Sequence, residues 1–236
     1  MNRGAVSPGA QVPVIAIDGP SGSGKGTISR AVAGALKWGL LDSGALYRLV
    51  ALAARRAGIE LDQQAVLADL ASRLDIRFGS GPSGDEVVWL DGVEVTRDIR
   101  TEEAGNDASK VAAIPAVRAA LLARQRAFAR PPGLVADGRD MGSVVFPGAL
   151  IKIFLTASLE ERAQRRHNQL KEKGVAATLA ALSLEIAERD KRDISRSASP
   201  LVASADAVVL DTTGMPVNAV VEQVLRLVRG RLPPGH

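Results

Sequence analysis

The sequence contains no cysteine and only two histidines, His167 and His236. The absence of cysteine excludes disulfide bonds, thiolate metal sites and cysteine nucleophiles, and it is typical of proteins in a reducing compartment. Two histidines are too few for a histidine-rich metal site, and they nearly exclude a serine–histidine–aspartate triad. Any chemistry must therefore rely on lysine, arginine, carboxylate and hydroxyl groups.

Aromatic residues and long apolar runs are also scarce. Phe, Trp and Tyr together make up 3% of the chain, which is too few for a platform on which nucleic-acid bases could stack. No apolar segment approaches the ~18 residues of a membrane span, and the start of the sequence shows no signal peptide. We therefore expect a cytoplasmic protein with neither a membrane nor a nucleic-acid partner.

The charge balance favours anionic ligands, because the 236-residue chain carries a net charge of +4. Arginine outnumbers lysine, but a GC-rich genome would have the same effect, and no clustered run of basic residues is present. The positions of the arginines, and not their number, can therefore indicate function.

The most informative segment is the nonapeptide 19–27, GPSGSGKGT. It follows the apolar run 14–17, which predicts a buried strand, and it opens a stretch of helix formers at 27–38. In this context the backbone N–H groups of a glycine-rich turn cradle the phosphates of a nucleotide, and Lys25 adds a positive charge for the outer phosphates. The predicted nucleotide-binding residues are Gly19, Pro20, Ser21, Gly22, Ser23, Gly24, Lys25, Gly26 and Thr27.

The nonapeptide departs from the strict phosphate-loop pattern at one position. That pattern has Ser or Thr directly after the lysine, where its hydroxyl reaches Mg²⁺. Here Gly26 stands in that place and the hydroxyl comes one residue later, at Thr27. The sequence does not identify a definite protein ligand for Mg²⁺. We expect the ion to be held through ATP and water, near Thr27 and Asp137.

The order of predicted elements indicates an α/β fold. Strands at 13–18, 40–41, 134–136, 151–155 and 207–210 alternate with helices, which predicts a doubly wound, parallel, five-stranded sheet. We expect Ser43 to cap the second helix. Three further strands within 75–95, joined in part by the turn Asp91-Gly92, predict an inserted antiparallel meander.

Three polar motifs follow strands or lie on charged helices, where such a fold places its ligands. The first is DSGALYR at 42–48, in which Tyr47 and Arg48 lie one turn into a helix. The second is DGRD at 137–140, in which two carboxylates flank an arginine able to bind phosphate bidentately. The third is RDKRDISR at 189–196, which predicts a stripe of Arg189, Asp193 and Arg196 on one helix. Ordinary solvated ion pairs could account for about half of the arginines on the charged helices.

These motifs belong to blocks that occur together in one family. The blocks are IDGPSGSGKGT, LLDSGALYR, IRTEE, ASKVAAIPAVR, LVADGRDMGSVVFP, KIFL, ERDKRD and SPL. Over about 13 to 230 the chain resembles the bacterial cytidylate kinases. The GKGT form of the loop is also similar to that of adenylate-kinase-like nucleoside monophosphate kinases. The resemblance implies transfer of phosphate from ATP to CMP or dCMP, with Mg²⁺, in a monomer.

The resemblance, together with the motifs around Tyr47 and Asp137, gives each candidate residue a role. The predicted catalytic residues are Lys25, Asp137, Arg139, Arg165 and Arg166. Binding of the acceptor phosphate and its surroundings falls to Asp42, Ser43, Tyr47, Arg48, Asp137, Arg139 and Arg196. Ser109, Arg118 and Asp140 would read the cytosine edge, and Arg189 and Asp193 would contact the sugar hydroxyls.

An adenylate-kinase-like organisation is implied as well. It comprises a disordered leader at 1–12, one kinase domain at 13–230 and a tail at 231–236. Within the domain the core would be 13–59, 130–156 and 200–230, the inserted monophosphate-binding region about 60–115 and a short helical lid about 157–175.

Other functions stay open on the sequence alone. Only Ser109, Arg118 and Asp140 argue for cytosine, so a kinase for UMP, AMP or a metabolite is the first alternative. A non-catalytic ATP-binding regulator is the second, and a nucleic-acid-binding protein with salt-sensitive affinity is the third.

Overall fold

The computed structural model describes residues 12–81, 86–172 and 174–232 of the chain. The predicted leader and tail lie outside the described residues, except at Val12, Arg231 and Leu232.

A parallel sheet of five strands forms the centre of the fold, in the order β2-β6-β1-β7-β8. Its strands are β1 (Val14–Asp18), β2 (Gly39–Asp42), β6 (Leu134–Gly138), β7 (Ile151–Thr156) and β8 (Val208–Asp211). The central strands β1 and β6 are buried along their whole length, as expected when helices cover both faces of a parallel sheet. The doubly wound five-stranded prediction is confirmed.

Eight α-helices surround and extend this sheet in the described residues. They are α1 (Lys25–Leu36), α2 (Ser43–Arg56), α3 (Gln64–Arg73), α4 (Glu102–Val111), α5 (Pro115–Arg126), α6 (Leu159–Glu172), α7 (Leu179–Ile194) and α8 (Val217–Arg229). In the described part of the chain, every helix falls short of the length and apolar character that crossing a bilayer requires.

The core has two parts, one on each face of the sheet. Because successive side chains of a strand point to opposite faces, Val14 and Ala16 of β1 join the larger cluster, with α2, α4 and α5. Ile15 and Ile17 join the smaller cluster, with α1 and α8. Because β1 and β6 are packed on both faces, they fix the positions from which the following loops begin.

The inserted meander is confirmed as a separate antiparallel sheet of β3 (Ile76–Ser80), β4 (Glu86–Leu90) and β5 (Val93–Glu94). Asp91 and Gly92 both have positive φ, at 50° and 79°, which is the conformation of a tight hairpin turn between β4 and β5. Glu86 at the start of β4 pairs with Arg100, and with Arg30 of α1 at 3.5 Å. The insert therefore contacts the helix that follows the phosphate loop.

Three local expectations about helix ends were wrong. Helix α1 occupies Lys25–Leu36 instead of 27–38, because Gly24 and Lys37 at its two caps are both left-handed. Asp42, not Ser43, caps α2, since its carboxylate accepts the N–H of Ala45 at 3.0 Å. Helix α7 ends at Ile194, so Arg196 does not share a helical stripe with Arg189.

Candidate active site

The loops that follow β1, β2 and β6 meet α4 and α7 around one cavity of about 410 Å³. The cavity lies at the carboxyl ends of the parallel strands, where open α/β sheets bind their ligands. Most predicted site residues line it, including Lys25, Arg48, Asp137 and Asp140. Four predicted residues do not line this cavity, namely Gly19, Pro20, Ser23 and Arg165.

The phosphate loop connects β1 to α1 through a backbone that only glycine allows at its first residue. Gly19 has φ 154°, and a Cβ built there would lie 2.1 Å from the carbonyl oxygen of Leu155. At the other end, no side chain of the described residues caps α1, and no acidic residue lies in its first turn. The N–H groups at the start of α1, together with the helix dipole, are therefore available to an anion.

Lys25 is the charged group of this loop, and it is almost fully buried. Its Nζ donates to the carbonyl oxygen of Pro20 at 3.0 Å. Burial, and then the positive charge of Arg139, lower the pKa of Lys25 to about 7, against the opposing attraction of Asp137. An anionic phosphate beside Lys25 would favour the charged form of the amine.

Asp137 comes from the end of β6, and its carboxylate faces the phosphate loop. Its Oδ2 lies 3.3 Å from the position that a Cβ would take on Gly26. Burial raises the pKa of Asp137 to about 7, although the charge of Lys25 opposes the rise. In the described residues no group of three or more His, Cys, Asp or Glu side chains could hold a metal ion. One carboxylate and the hydroxyl of Thr27 fit a Mg²⁺ ion that is held mainly by nucleotide phosphates and water.

A cluster of arginines surrounds Asp193 near the end of α7. Asp193 is fully buried; its Oδ2 accepts from Nε of Arg139 at 3.0 Å, and its Oδ1 pairs with Arg196. Burial alone would raise the pKa of Asp193, but the neighbouring guanidinium groups hold it below its ordinary value. Burial lowers the pKa of Arg189 to about 9, and the charge of Arg139 adds to that effect.

The guanidinium groups of Arg139, Arg189 and Arg196 lie near the single carboxylate of Asp193. Within the described chain, the Nε atoms of Arg189 and Arg196 are buried without a hydrogen-bond partner. Arg48 lines the same cavity, donating to the carbonyl oxygen of Ile99 at 2.9 Å. Unpaired buried donors are costly, and a bound phosphate would satisfy donors of this kind.

A buried ion pair forms another part of the cavity wall. Arg118 of α5 pairs with Asp140, and the two side chains are 9% and 4% exposed. Arg118 also donates to the carbonyl oxygen of Ala112 at 3.2 Å and lies 5.6 Å from the ring centre of Tyr47. Nearby, Ser109 of α4 donates to Asp193 at 3.3 Å. The three predicted base-reading residues and Tyr47 therefore line one cavity with the arginine cluster.

The two predicted lid arginines behave differently in the structure. Arg166 of α6 lines the cavity and pairs with Glu102 at the start of α4. Arg165 instead pairs with Glu161 at 2.8 Å and donates to the carbonyl oxygens of Ser23 and Thr212, at 3.3 and 2.6 Å. Arg165 thus contacts the backbone of the phosphate loop at Ser23 and does not line the cavity.

Sequence reasoning gave no role to two buried charged residues beside the site. Arg162 donates to the carbonyl oxygen of Ser21 at 3.0 Å and pairs with Asp190 at 2.7 Å, so it joins the phosphate loop to α7. Asp18 accepts two backbone N–H groups from the segment after Asp140. The only signal for Asp18 was a charged residue at the end of an otherwise apolar strand.

Comparisons with known proteins assign the family. The family model described as cytidylate kinase matches residues 15–230. The cytidylate kinase of Shewanella loihica is 54% identical over 223 residues, covering 94% of this chain and 97% of that protein. The cytidylate kinase of Marinomonas sp. (strain MWYL1) is 58% identical over 214 residues, covering 91% and 94%. That of Nitrosococcus oceani is 55% identical over 222 residues, covering 94% and 98%. The chain belongs to the cytidylate kinase family.

Proposed function

We propose that this chain transfers the γ-phosphoryl group of ATP to the phosphate of CMP or dCMP, giving ADP and CDP or dCDP. One observation carries the proposal. A phosphate loop with a buried lysine and a buried Arg118–Asp140 pair line the same cavity. Family membership and the names of the relatives support the same reaction.

In the proposed reaction an oxygen of the acceptor phosphate attacks the γ-phosphorus in line, and ADP leaves. That oxygen is already largely ionised at neutral pH, because the second pKa of a phosphate monoester is about 6. A strong general base is therefore unnecessary, in keeping with a chain of two histidines. The protein's task is to position the two nucleotides and to offset the charge that develops between them.

Lys25 and the loop 19–27 would hold the phosphates of ATP, and Arg48, Arg139 and Arg196 the acceptor phosphate. Asp193 already accepts from Arg139, Arg196 and Ser109. Its main task in this proposal is to orient those arginines, which modifies the sugar contact that the resemblance implies. The Nε of Arg189 has no hydrogen-bond partner among the described residues, and a sugar hydroxyl could accept from it.

Asp137 and Thr27 would hold Mg²⁺, through water or directly, beside the ATP phosphates. The ion supplies charge neutralisation at the phosphates when it is bound. Gly26 gives Asp137 the space it needs, because a side chain there would press on the carboxylate.

Asp140 would read the cytosine base. A carboxylate accepts a hydrogen bond from the 4-amino group of cytosine, whereas uracil presents an oxygen at that position. Arg118 holds the carboxylate in place. Because Asp140 is buried, a base that leaves it unpaired is disfavoured by the desolvation of the carboxylate.

We also propose that the region of about 60–115 closes on the acceptor and that the lid of about 157–175 closes on ATP. The Arg166–Glu102 pair joins α6 to α4, so it links these two parts. Closure of this kind excludes water and limits hydrolysis of ATP. A monomer is part of this proposal, as the family resemblance implies.

The test is ADP formation by the purified protein with Mg-ATP and, in separate reactions, CMP, dCMP, UMP, AMP or GMP. The proposal predicts rapid ADP formation with CMP and dCMP and a rate near the ATP-only background with AMP and GMP. Preferred use of another monophosphate would keep the reaction and discard the cytosine assignments. ATP binding without turnover on any acceptor would support the regulator instead.

A further inference from the structure

A buried carboxylate lies where the donor loop begins. Asp18 is the last residue of β1, it is 6% exposed, and Gly19 of the phosphate loop follows it directly. Its Oδ1 accepts the backbone N–H of Met141, and its Oδ2 accepts that of Gly142, both at 2.8 Å. Strand β1 thereby holds a segment that is 123 residues further along the chain.

Burying this carboxylate is unfavourable. Burial raises the pKa of Asp18 to about 6, and the nearby negative charge of Asp140 adds to the rise. The two N–H bonds offset only part of this effect. A carboxylate at the end of a buried strand therefore lowers stability unless its hydrogen bonds compensate for its desolvation.

The two N–H groups begin a short π-helical turn, Met141–Val145, whose N-terminal cap residue is Asp140. An aspartate in the cap position ordinarily turns its carboxylate back to accept the N–H of the second or third residue of its own helix, here Gly142 or Ser143. Asp140 makes no such bond to this fully described turn. Its carboxylate pairs with Arg118 instead. Asp18 accepts the N–H of Gly142, which a capping Asp140 could have taken, together with that of Met141.

We propose that Asp18 is a positioning residue for acceptor choice: it caps the turn after Asp140, so that the carboxylate of Asp140 is kept for Arg118 and the acceptor base. This inference rests on the proposed function, because it assumes that Asp140 reads the base. We do not expect Asp18 itself to contact either nucleotide.

The position of Asp18 is well suited to this task. Its backbone is paired with Gly138 on one side and with Phe154 on the other, so the carboxylate projects from the middle of the sheet. The sheet thus fixes the turn that carries Asp140 relative to the loop that carries Lys25. The donor loop and the turn that carries Asp140 are therefore both anchored at the end of β1.

The experiment compares wild type, Asp18→Asn, Asp140→Asn and the double variant with CMP and with UMP. Asparagine has the shape of aspartate, but it accepts with one oxygen and places an NH₂ group against the second N–H. We expect Asp18→Asn to raise the KM for CMP about tenfold, the scale of a lost charge-assisted hydrogen bond. The KM for ATP should stay within about twofold, since the donor loop keeps its own contacts, and the preference for CMP over UMP should fall.

The double variant separates positioning from a general structural role. If Asp18 acts through Asp140, adding Asp18→Asn to Asp140→Asn leaves the CMP-to-UMP ratio where Asp140→Asn alone puts it. Equal loss of activity on both acceptors, or independent and additive losses of preference, would overturn the inference. Should Asp18→Asn not fold, Asp18→Ser, which still offers one acceptor, is judged by the same ratio.

Wild type alone reports on the proposed function. If it preferred another monophosphate, that proposal would fail. The proposed role of Asp18 would then be tested on that monophosphate. It predicts that Asp18→Asn and Asp140→Asn both change the preference for it.

Discussion

The carboxylate of Asp137 occupies the space beside Gly26 that a side chain would need. A Cβ built on Gly26 lies 3.3 Å from Asp137 Oδ2, which is tighter than an ordinary van der Waals contact. The strict phosphate loop has Ser or Thr at this position. In this chain the lack of a side chain at Gly26 leaves the space that the carboxylate of Asp137 occupies.

Gly26→Ala should therefore lower the turnover number, because the methyl group displaces Asp137. The matched control is Gly34→Ala in the same helix, where a new Cβ meets no atom of the described residues within 4 Å. Removing a glycine from an exposed helical position stabilises by roughly 0.5–1 kcal/mol. We expect Gly34→Ala to raise the melting temperature at full activity; unchanged turnover in Gly26→Ala would contradict the proposed role of Asp137.

Lys25→Ala should reduce the turnover number by about 10³-fold, the scale of losing a charge directed at the transition state. Lys171→Ala is the control, since Lys171 is exposed on α6 and does not line the cavity. Steady-state rates at saturating ATP and CMP make the comparison. A Lys25→Ala enzyme with a near-normal rate would remove Lys25 from the mechanism.

Asp140→Asn should lower the preference for CMP over UMP by about tenfold or more, as expected when a buried, base-reading acceptor gains a donor. The amide can donate to the oxygen of uracil, which the carboxylate cannot. The measurement is the ratio of kcat/KM for the two acceptors, with the KM for ATP as internal control. The same ratio in wild type and variant would show that Asp140 does not read the base.

Binding of Mg²⁺-free ATP should take up protons near pH 7.5. Lys25 and Asp137 both have a pKa of about 7 in the free protein, so both are partly deprotonated at that pH. The negative charge of ATP raises both pKa values, and the sign of the linked change is therefore proton uptake. Calorimetry in two buffers of different ionisation enthalpy measures it.

Lys25→Met separates the two groups in that experiment. It removes one titrating group and also the charge that opposes the raised pKa of Asp137, so the proton uptake should decrease. Proton release by wild type, or equal uptake in wild type and Lys25→Met, would be incompatible with these pKa values.

The fold and the phosphate loop could be predicted because their signals are local. The apolar run before Gly19 and the glycines up to Gly24 mark a strand and a phosphate-binding turn without reference to the rest of the chain. Helix ends were less well predicted. The cap of α2 was assigned to Ser43 and belongs to Asp42, since both residue types cap well and only the backbone geometry distinguishes them.

The contacts within the site could not be predicted from local sequence. Asp18 meets Met141 and Gly142 only because β1 and β6 are neighbours in the sheet. Asp193 lies between Arg139 and Arg196 because the end of α7 packs onto the loop after β6. The different surroundings of Arg165 and Arg166 likewise depend on how α6 faces the phosphate loop, which neighbouring positions in a sequence do not specify.

In the proposed function this chain phosphorylates CMP and selects it by its base. Equal concentrations of CMP and UMP are mixed with Mg-ATP and the enzyme in one tube, and CDP and UDP are separated at low conversion. Their ratio is the ratio of the two kcat/KM values. We expect an excess of CDP of about 100-fold or more, because a buried polar site rejects an analogue that leaves it unpaired. Equal amounts of the two products, or an excess of UDP, would contradict it.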